Sequence, residues 1–178
     1  MKIVSGLLLA GSLLSGVAFA KDATPLVGVE AGYGSMNAGG SSHNLYTGGL
    51  KIGAQSDDYR VYLSARTIQI NGFESGNALG GEFQYLIPIH TGLNAFMGVN
   101  AGQIGMKTKN LPTPQRDIST YYYGGDLGVN MALSPSIDLE MGGRLMYMNY
   151  THTLGGVAYN VDSIVQGYAS LVFKLPNR

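Results

Sequence analysis

Apolar and polar side chains alternate along most of the chain after residue 20. The segment Ile137–Tyr150 shows this most clearly. Every second residue is apolar or small: Ile137, Leu139, Met141, Gly143, Leu145 and Tyr147. The intervening positions carry three charges: Asp138, Glu140, Gly142, Arg144, Met146 and Met148. Because side chains on a strand point alternately to opposite faces, this pattern predicts a strand with one apolar and one charged face. It is longer than the five or six residues usual for a strand.

The same alternation predicts eight strands in total. They cover Pro25–Gly34, Asn44–Ala54, Tyr59–Ile70, Ala78–Ile87, Gly92–Gly105, Thr120–Ala132, Ile137–Tyr150 and Val161–Leu175. Short turns near Asp57, Ile89 and Pro135 alternate with four longer loops, at Ser35–His43, Asn71–Asn77, Met106–Ser119 and Thr151–Asn160. This layout predicts an all-β, eight-stranded antiparallel up-and-down transmembrane β-barrel, with both termini on the periplasmic side.

A soluble up-and-down barrel is the competing interpretation, because it also alternates apolar and polar positions. Such a barrel covers its outside with charge, whereas charged residues make up only 12% of this chain, about half the usual share. Tyrosines also gather near the strand ends, at Tyr33, Tyr46, Tyr121 and Tyr147 on one level and at Tyr59 and Tyr85 on the other. Two aromatic bands are typical of a lipid-facing wall.

The first twenty residues predict a secretory signal peptide. Lys2 supplies the positive start, Ile3–Val17 the apolar stretch, and Ala18-Phe19-Ala20 a small-residue cleavage site. The alternative is a membrane-anchoring helix, for which this apolar stretch is short. We therefore expect residues 1–20 to be removed and residues 21–178 to form one barrel domain.

Charged residues recur on the predicted inner face, and four of them follow a glycine pair. In each case the inward glycine lies two residues before the charge, in the pairs Gly49/Lys51, Gly80/Glu82, Gly124/Asp126 and Gly142/Arg144. We expect the missing side chain to make room for the long one on the same face. Glu30, Arg66 and Glu140 complete a predicted cluster of four carboxylates and three cations.

Eight strands leave an interior only just wide enough for side chains, so charges confined there need partners. The hypothesis is a salt-bridged plug that closes the lumen and excludes a diffusion pore. The alternative is a set of water-bathed lumen residues with no particular partners.

On these patterns the chain resembles the small eight-stranded outer-membrane β-barrel proteins of Gram-negative bacteria, the OmpA-like and OmpX-like proteins. The resemblance implies residence among outer-membrane lipids and insertion by the barrel assembly machinery. In that family a terminal aromatic residue serves as the recognition signal, and Leu171-Val172-Phe173 looks like that signal here.

Two functions follow from the resemblance. The first is a non-enzymatic barrel in envelope integrity or surface interaction, binding through the loops Ser35–His43, Met106–Ser119 and Thr151–Asn160. Lys107, Lys109 and Arg116 could meet the anionic phosphates of lipopolysaccharide there. The alternative for these three cations is an ordinary solvated loop.

The second is a lipid A-modifying enzyme. A deacylase needs a lipid-facing His and Ser with a carboxylate, and His152, Asp162 and Ser163 fall at one predicted rim. The family's His-x-Ser-Asn is replaced by His152-Thr153-Leu154, which weakens this hypothesis. An acyltransferase needs an apolar lumen and a leading helix, which the charged lumen and four-residue lead oppose.

No cofactor or metal is expected. His43, His90 and His152 are scattered over different ends of the predicted barrel, so they predict no metal site. The glycines include no G-x-x-x-x-G-K-[ST] phosphate loop. No basic cluster indicates nucleic acid, and the chain has equal numbers of basic and acidic residues, 11 of each.

Overall fold

The computed structural model describes residues 23–38, 40–70, 73–108, 117–154 and 157–176. They form eight strands: β1 Thr24–Ala38, β2 Ser41–Gln55, β3 Tyr59–Ile70, β4 Phe73–His90, β5 Leu93–Thr108, β6 Asp117–Ser134, β7 Ile137–Leu154 and β8 Val157–Lys174. Within these ranges no helix has the length and apolar character needed to cross a membrane. The predicted signal peptide lies outside the described residues.

The strands form one closed barrel in chain order, and every neighbouring pair is antiparallel. β1 pairs with both β2 and β8, so the sheet has no free edge. Leu26 near the start of β1 lies opposite Lys174 at the end of β8, so both termini of the barrel lie at one end. We call this the terminal end and the opposite one the distal end. The predicted eight-stranded up-and-down barrel is confirmed.

The predicted alternation of short turns and long loops is wrong, because the strands continue through most of the predicted loops. Within Ser35–His43, residues Ser41 to His43 pair with Ala38 to Met36, and only residues 39–40 separate β1 from β2. Two residues also separate β3 from β4 and β7 from β8. Ladder hydrogen bonds use backbone groups, so polar and small residues extend the strands beyond the apolar band.

Two of the tight connections contain a glycine with a left-handed backbone. Gly92 follows β4 with a φ of 77°, and Gly40 precedes β2 with a φ of 78°. Residues with a Cβ rarely adopt this conformation. The turn predicted near Ile89 is therefore displaced to Thr91–Gly92, and Pro88 lies in β4.

The outer wall carries a belt of exposed apolar side chains, as the alternation predicts. Leu127 has 70% of its surface exposed, and Val99 and Leu50 are similarly exposed. Aromatic residues cluster within the belt, with Tyr33 against Tyr46 at 5.0 Å between ring centroids. An apolar exterior around a charged interior is the reverse of what the soluble-barrel alternative requires.

Candidate functional site: the lumen

Side chains fill the barrel interior at successive levels. The distal level is apolar, a feature that the sequence analysis did not predict. It buries a cluster of twelve side chains: Met36, Leu45, Ile68, Ile70, Ala78, Ile104, Met106, Tyr122, Met146, Met148, Val161 and Ile164. We call these residues the distal apolar cluster. The signal was present in Met146 and Met148, which share the inward face of Arg144.

All seven predicted lumen charges are buried below this cluster. They alternate with outward residues on β1, β2, β3, β4, β6 and β7, so the closed sheet directs them towards one axis. We call them the lumen charge cluster: Glu30, Lys51, Arg66, Glu82, Asp126, Glu140 and Arg144.

Arg144 is the centre of the middle level. Its Nε donates to Asp126 Oδ1 at 3.0 Å, Nη1 to Glu30 Oε1 at 2.7 Å, and Nη2 to Glu82 Oε2 at 2.9 Å. Its guanidinium also lies 4.3 Å from the ring centroid of Tyr168. One cation therefore contacts three carboxylates from three strands.

Arg66 completes this level from the opposite wall. Its Nε donates to Glu30 Oε1 at 2.8 Å, Nη1 donates to Ser64 Oγ at 2.9 Å, and Nη2 pairs with Glu82 Oε1. Two guanidinium groups thus share Glu30 and Glu82. Charge-assisted hydrogen bonds of this kind are stronger than neutral ones and fix the orientation of the planar guanidinium.

Lys51 and Glu140 form the next level towards the terminal end, with 2.8 Å between Nζ and Oε1. Tyr168 Oη donates to the same carboxylate oxygen at 3.0 Å, and Gln84 Nε2 donates at 3.2 Å. The Lys51 ammonium lies 4.5 Å from the ring centroid of Tyr62, a favourable cation–π distance.

A third charged level lies nearest the terminal end, and the predicted cluster did not include it. Arg60 Nη2 donates to Asp138 Oδ2 at 2.5 Å, and Arg60 Nη1 donates to Asn130 Oδ1 at 2.8 Å. Lys174 Nζ lies 2.7 Å from Asp138 Oδ1. Asp138 lies on the charged face of its strand, two residues from Glu140, and Arg60 lies on the same face of β3 as the predicted lumen residue Arg66, so the alternation identifies both as inward positions.

The lumen charges balance among the described residues. The ion pairs join five carboxylates (Glu30, Glu82, Asp126, Asp138 and Glu140) to five cations (Lys51, Arg60, Arg66, Arg144 and Lys174). A buried ion without a partner costs several kcal/mol, so this pairing makes a charged interior compatible with a folded barrel.

The inward glycines make room for side chains of neighbouring strands, not for side chains of their own strand. A Cβ on Gly49 would lie 2.8 Å from Arg66 Cγ on β3, and one on Gly142 would lie 3.0 Å from Phe96 Cζ. A Cβ on Gly28 would lie 2.8 Å from Lys51 Cγ. The expectation that each glycine accommodates the charge two residues later is therefore wrong. Cross-strand side chains are closer than same-strand neighbours in a pleated sheet.

Of the predicted loop cations, Lys107 is an exposed residue of β5, in register with Asp117. Lys109 and Arg116 lie outside the described residues.

The distal level of the lumen is apolar and filled. The argument that a charged lumen opposes an acyltransferase therefore applies only to the charged levels nearer the terminal end.

The strand register separates the predicted deacylase residues. His152 on β7 lies opposite Tyr159, whereas Ser163 on β8 lies opposite Tyr147, five residues from His152 along β7. Five residues of a strand span roughly 16 Å, far beyond hydrogen-bond reach. Asp162 is exposed, and Ser163 accepts a hydrogen bond from Asn37 Nδ2 at 3.3 Å.

Among the described residues, no group of three or more His, Cys, Asp or Glu could hold a metal ion.

Comparisons with known proteins identify the fold. No protein-family model and no curated protein matches the sequence. The structure is similar to the crystal structure of Neisserial surface protein A, with a TM-score of 0.68, 15% identity, and 87% of this chain and 100% of that chain covered. It is also similar to outer membrane protein H of Pseudomonas aeruginosa, with a TM-score of 0.63, 20% identity, and coverage of 85% and 99%.

A third similar structure is the outer membrane protein OprG of Pseudomonas aeruginosa, with a TM-score of 0.55, 13% identity, and coverage of 87% and 96%. These three proteins differ widely from this chain in sequence and share its barrel over nearly their whole lengths. The chain therefore has the fold of the small eight-stranded outer-membrane β-barrels.

Proposed function

We propose that this protein is an integral β-barrel of the Gram-negative outer membrane that supports envelope integrity without a diffusion pore or an enzymatic reaction. The observation that carries this proposal is the filled lumen. The distal apolar cluster and three levels of paired charges follow one another along the barrel axis. A barrel with a filled lumen contributes to envelope integrity through its outer wall and its two ends.

The outer wall supports membrane insertion. Large apolar side chains are exposed around the barrel, and exposed tyrosines accompany them towards the distal end. Exposing such a belt to water is unfavourable by about 25 cal/mol per Å² of apolar surface, whereas hydrocarbon accepts it. The closed ladder also leaves no unpaired sheet edge in the lipid.

We place both termini in the periplasm. The terminal end carries only connections of two or three residues, at 56–58, 91–92 and 135–136, whereas the distal end carries the longest connection, residues 109–116, and long connections face outward in this barrel class. A signal peptide ahead of β1 would deliver the chain to that compartment. Phe173 points outward near the end of β8, where the barrel assembly machinery would recognise it.

Surface interaction is a further part of this proposal. Residues 109–116 form the longest connection between two strands, and Lys107, Lys109 and Arg116 lie in or beside it. These cations would meet lipopolysaccharide phosphates. Replacing all three with Ser should weaken binding of the purified protein to lipopolysaccharide. Unchanged binding would contradict this role and leave the barrel itself unaffected.

Cell fractionation with heat-modifiability on gels tests the location. The protein should be recovered in the outer membrane, and the unboiled sample should migrate differently from the boiled one because the closed barrel resists detergent. Recovery in the soluble periplasmic fraction would overturn the proposal.

A deletion strain tests the function. Loss of the protein should increase sensitivity to detergents and to large antibiotics that an intact outer membrane excludes, and the wild-type chain should restore resistance. Lipid A mass spectra with and without the protein should be identical. A changed acyl pattern would overturn the non-enzymatic assignment.

A further inference from the structure

A groove of about 800 Å³ crosses the outside of the barrel wall from β2 to β6. We call it the wall groove. Its lining residues are Gly48, Gly49, Leu50, Ala65, Arg66, Thr67, Asn77, Ala78, Leu79, Gln103, Gly105 and Ser119. The groove lies on the lipid-facing wall and is separate from the lumen charge cluster, since the Arg66 guanidinium is held by carboxylates inside the barrel.

The strand register creates the groove. Gly48 pairs with Thr67, Thr67 with Asn77, Asn77 with Gly105, and Gly105 with Ser119. All five point outward, and none is larger than Asn. They form one continuous row over five strands, roughly 19 Å long at about 4.8 Å per strand. The neighbouring row towards the terminal end carries the larger side chains of Leu50, Leu79, Gln103 and Tyr121 around the small Ala65, so the row is a trench.

The trench carries polar side chains beside exposed tyrosines of the wall. Tyr46 on β2 and Tyr121 on β6 stand beside its two ends, with 57% and 63% of their surfaces exposed. Tyrosines mark the boundary between hydrocarbon and headgroups. Between them the wall presents Thr67, Asn77 and Gln103, whose groups can donate and accept hydrogen bonds.

These polar groups need partners in a membrane. Gln103 Nε2 donates to Ser119 Oγ at 2.9 Å, which uses one of its two amide hydrogens. At the boundary between headgroups and hydrocarbon, hydrogen-bonding groups that stand next to an apolar chain can supply the remaining partners. The ligand should therefore be a lipid segment that carries both an apolar chain and neutral hydrogen-bonding groups.

We propose that the wall groove binds one acyl chain of an outer-leaflet lipid whose chains carry hydroxyl groups and amide or ester linkages. The chain lies along the trench over Gly48 and against Leu50 and Leu79. Its hydroxyl and carbonyl groups meet Asn77 and Gln103. This inference rests on the proposed membrane location.

The lining excludes two other occupants. A phosphate needs a cationic side chain, and among the lining residues the only cation is Arg66, which is engaged inside the lumen. A second copy of this barrel would bring its convex apolar belt against the amides and leave them unpaired. An acyl chain is narrow enough to enter the trench, and its linkage supplies the missing partners.

Two outward glycines provide a matched pair of variants. A Cβ on Gly48 meets nothing within 4 Å, and the same is true of Gly143 on β7. Both variants should therefore fold. Gly48→Leu fills the trench, whereas Gly143→Leu adds the same side chain outside the groove. Asn77→Leu tests the hydrogen-bonding part separately.

The experiment is a titration followed by NMR. The isotope-labelled full-length mature protein is refolded in phosphatidylcholine bicelles, and lipid A, with hydroxylated, amide-linked chains, is added. The control titrant is phosphatidylglycerol, which is anionic and lacks those chains. Lipid A should shift the amide signals of Thr67, Asn77 and Gly105 in a saturable way. Gly48→Leu and Asn77→Leu should each weaken the apparent affinity by about tenfold or more, and Gly143→Leu should not.

Equal shifts from phosphatidylglycerol would overturn the proposal, as would shifts that depend on protein concentration without lipid A. If the spectrum is that of a folded barrel but lipid A shifts none of the groove signals, lipid binding in the wall groove is contradicted and the membrane location is not. A protein that folds in water and ignores bicelles would instead overturn the membrane location.

Discussion

Arg144 on β7 and Glu30 on β1 form a two-point ion pair across the lumen, with 2.7 Å between Nη1 and Oε1 and 3.3 Å between Nη2 and Oε2. β8 lies between the two strands, and 114 positions of sequence separate the two residues. The pair therefore forms only when β8 has closed the barrel against β1. It links the charged interior directly to barrel closure.

Removing the Arg144 cation should strongly destabilise the barrel. In Arg144→Met, three buried carboxylates lose a shared partner, and breaking a buried pair costs about 3–5 kcal/mol. Urea unfolding in lipid vesicles, followed by circular dichroism, measures the change. Lys107→Met is the control, because Lys107 is exposed on β5 and should change the free energy of unfolding by about 0.5 kcal/mol or less. Equal effects would contradict the central role of Arg144.

The two cations that contact Asp138 should differ in importance. Arg60 is fully buried, so Arg60→Gln should cost about 3–5 kcal/mol. The Lys174 side chain is 25% exposed, so Lys174→Gln should cost about 1 kcal/mol or less. Unfolding of both variants at low and high salt checks this, because only the Lys174 contribution should fall on screening. The reverse order of costs would contradict the assigned burial.

Inward and outward glycines should respond oppositely to a larger side chain. Gly28→Val places a Cβ 2.8 Å from Lys51 Cγ, and overpacking of this kind costs about 1–3 kcal/mol. Gly143→Val meets nothing within 4 Å and should be neutral or slightly stabilising, because valine favours strands. The midpoints of urea unfolding compare the two variants. A destabilised Gly143→Val with an unaffected Gly28→Val would invert the assignment of the faces.

The filled lumen should not conduct. The purified protein in planar bilayers should give no steady open channel, because side chains occupy the barrel at every level described. The conductance is compared with that of a double variant, Arg66→Ser with Arg144→Ser, which shortens both side chains of the middle level. This variant is used provided that it still shows heat-modifiability. A large steady conductance from the wild-type protein would contradict the plug and the proposed function that depends on it.

The strand pattern illustrates how far sequence reasoning reaches in a barrel. A period of two assigned Val29 to the outside and Glu30 to the inside, and the structure has both there. The same period failed at the strand ends, since the ladder continues through Ser41–His43. Backbone pairing decides where a strand ends, and polar composition alone does not reveal it.

By itself, the sequence determined the number of strands, their order and the face of each residue, because these depend on local alternation along one strand. Only the tertiary structure decided that Arg144 contacts Glu30, that Gly49 accommodates Arg66, and that Gly48 and Ser119 share a trench. Each of these relationships joins different strands, and its geometry depends on register and barrel closure. Alternation within a single strand carries no information about register.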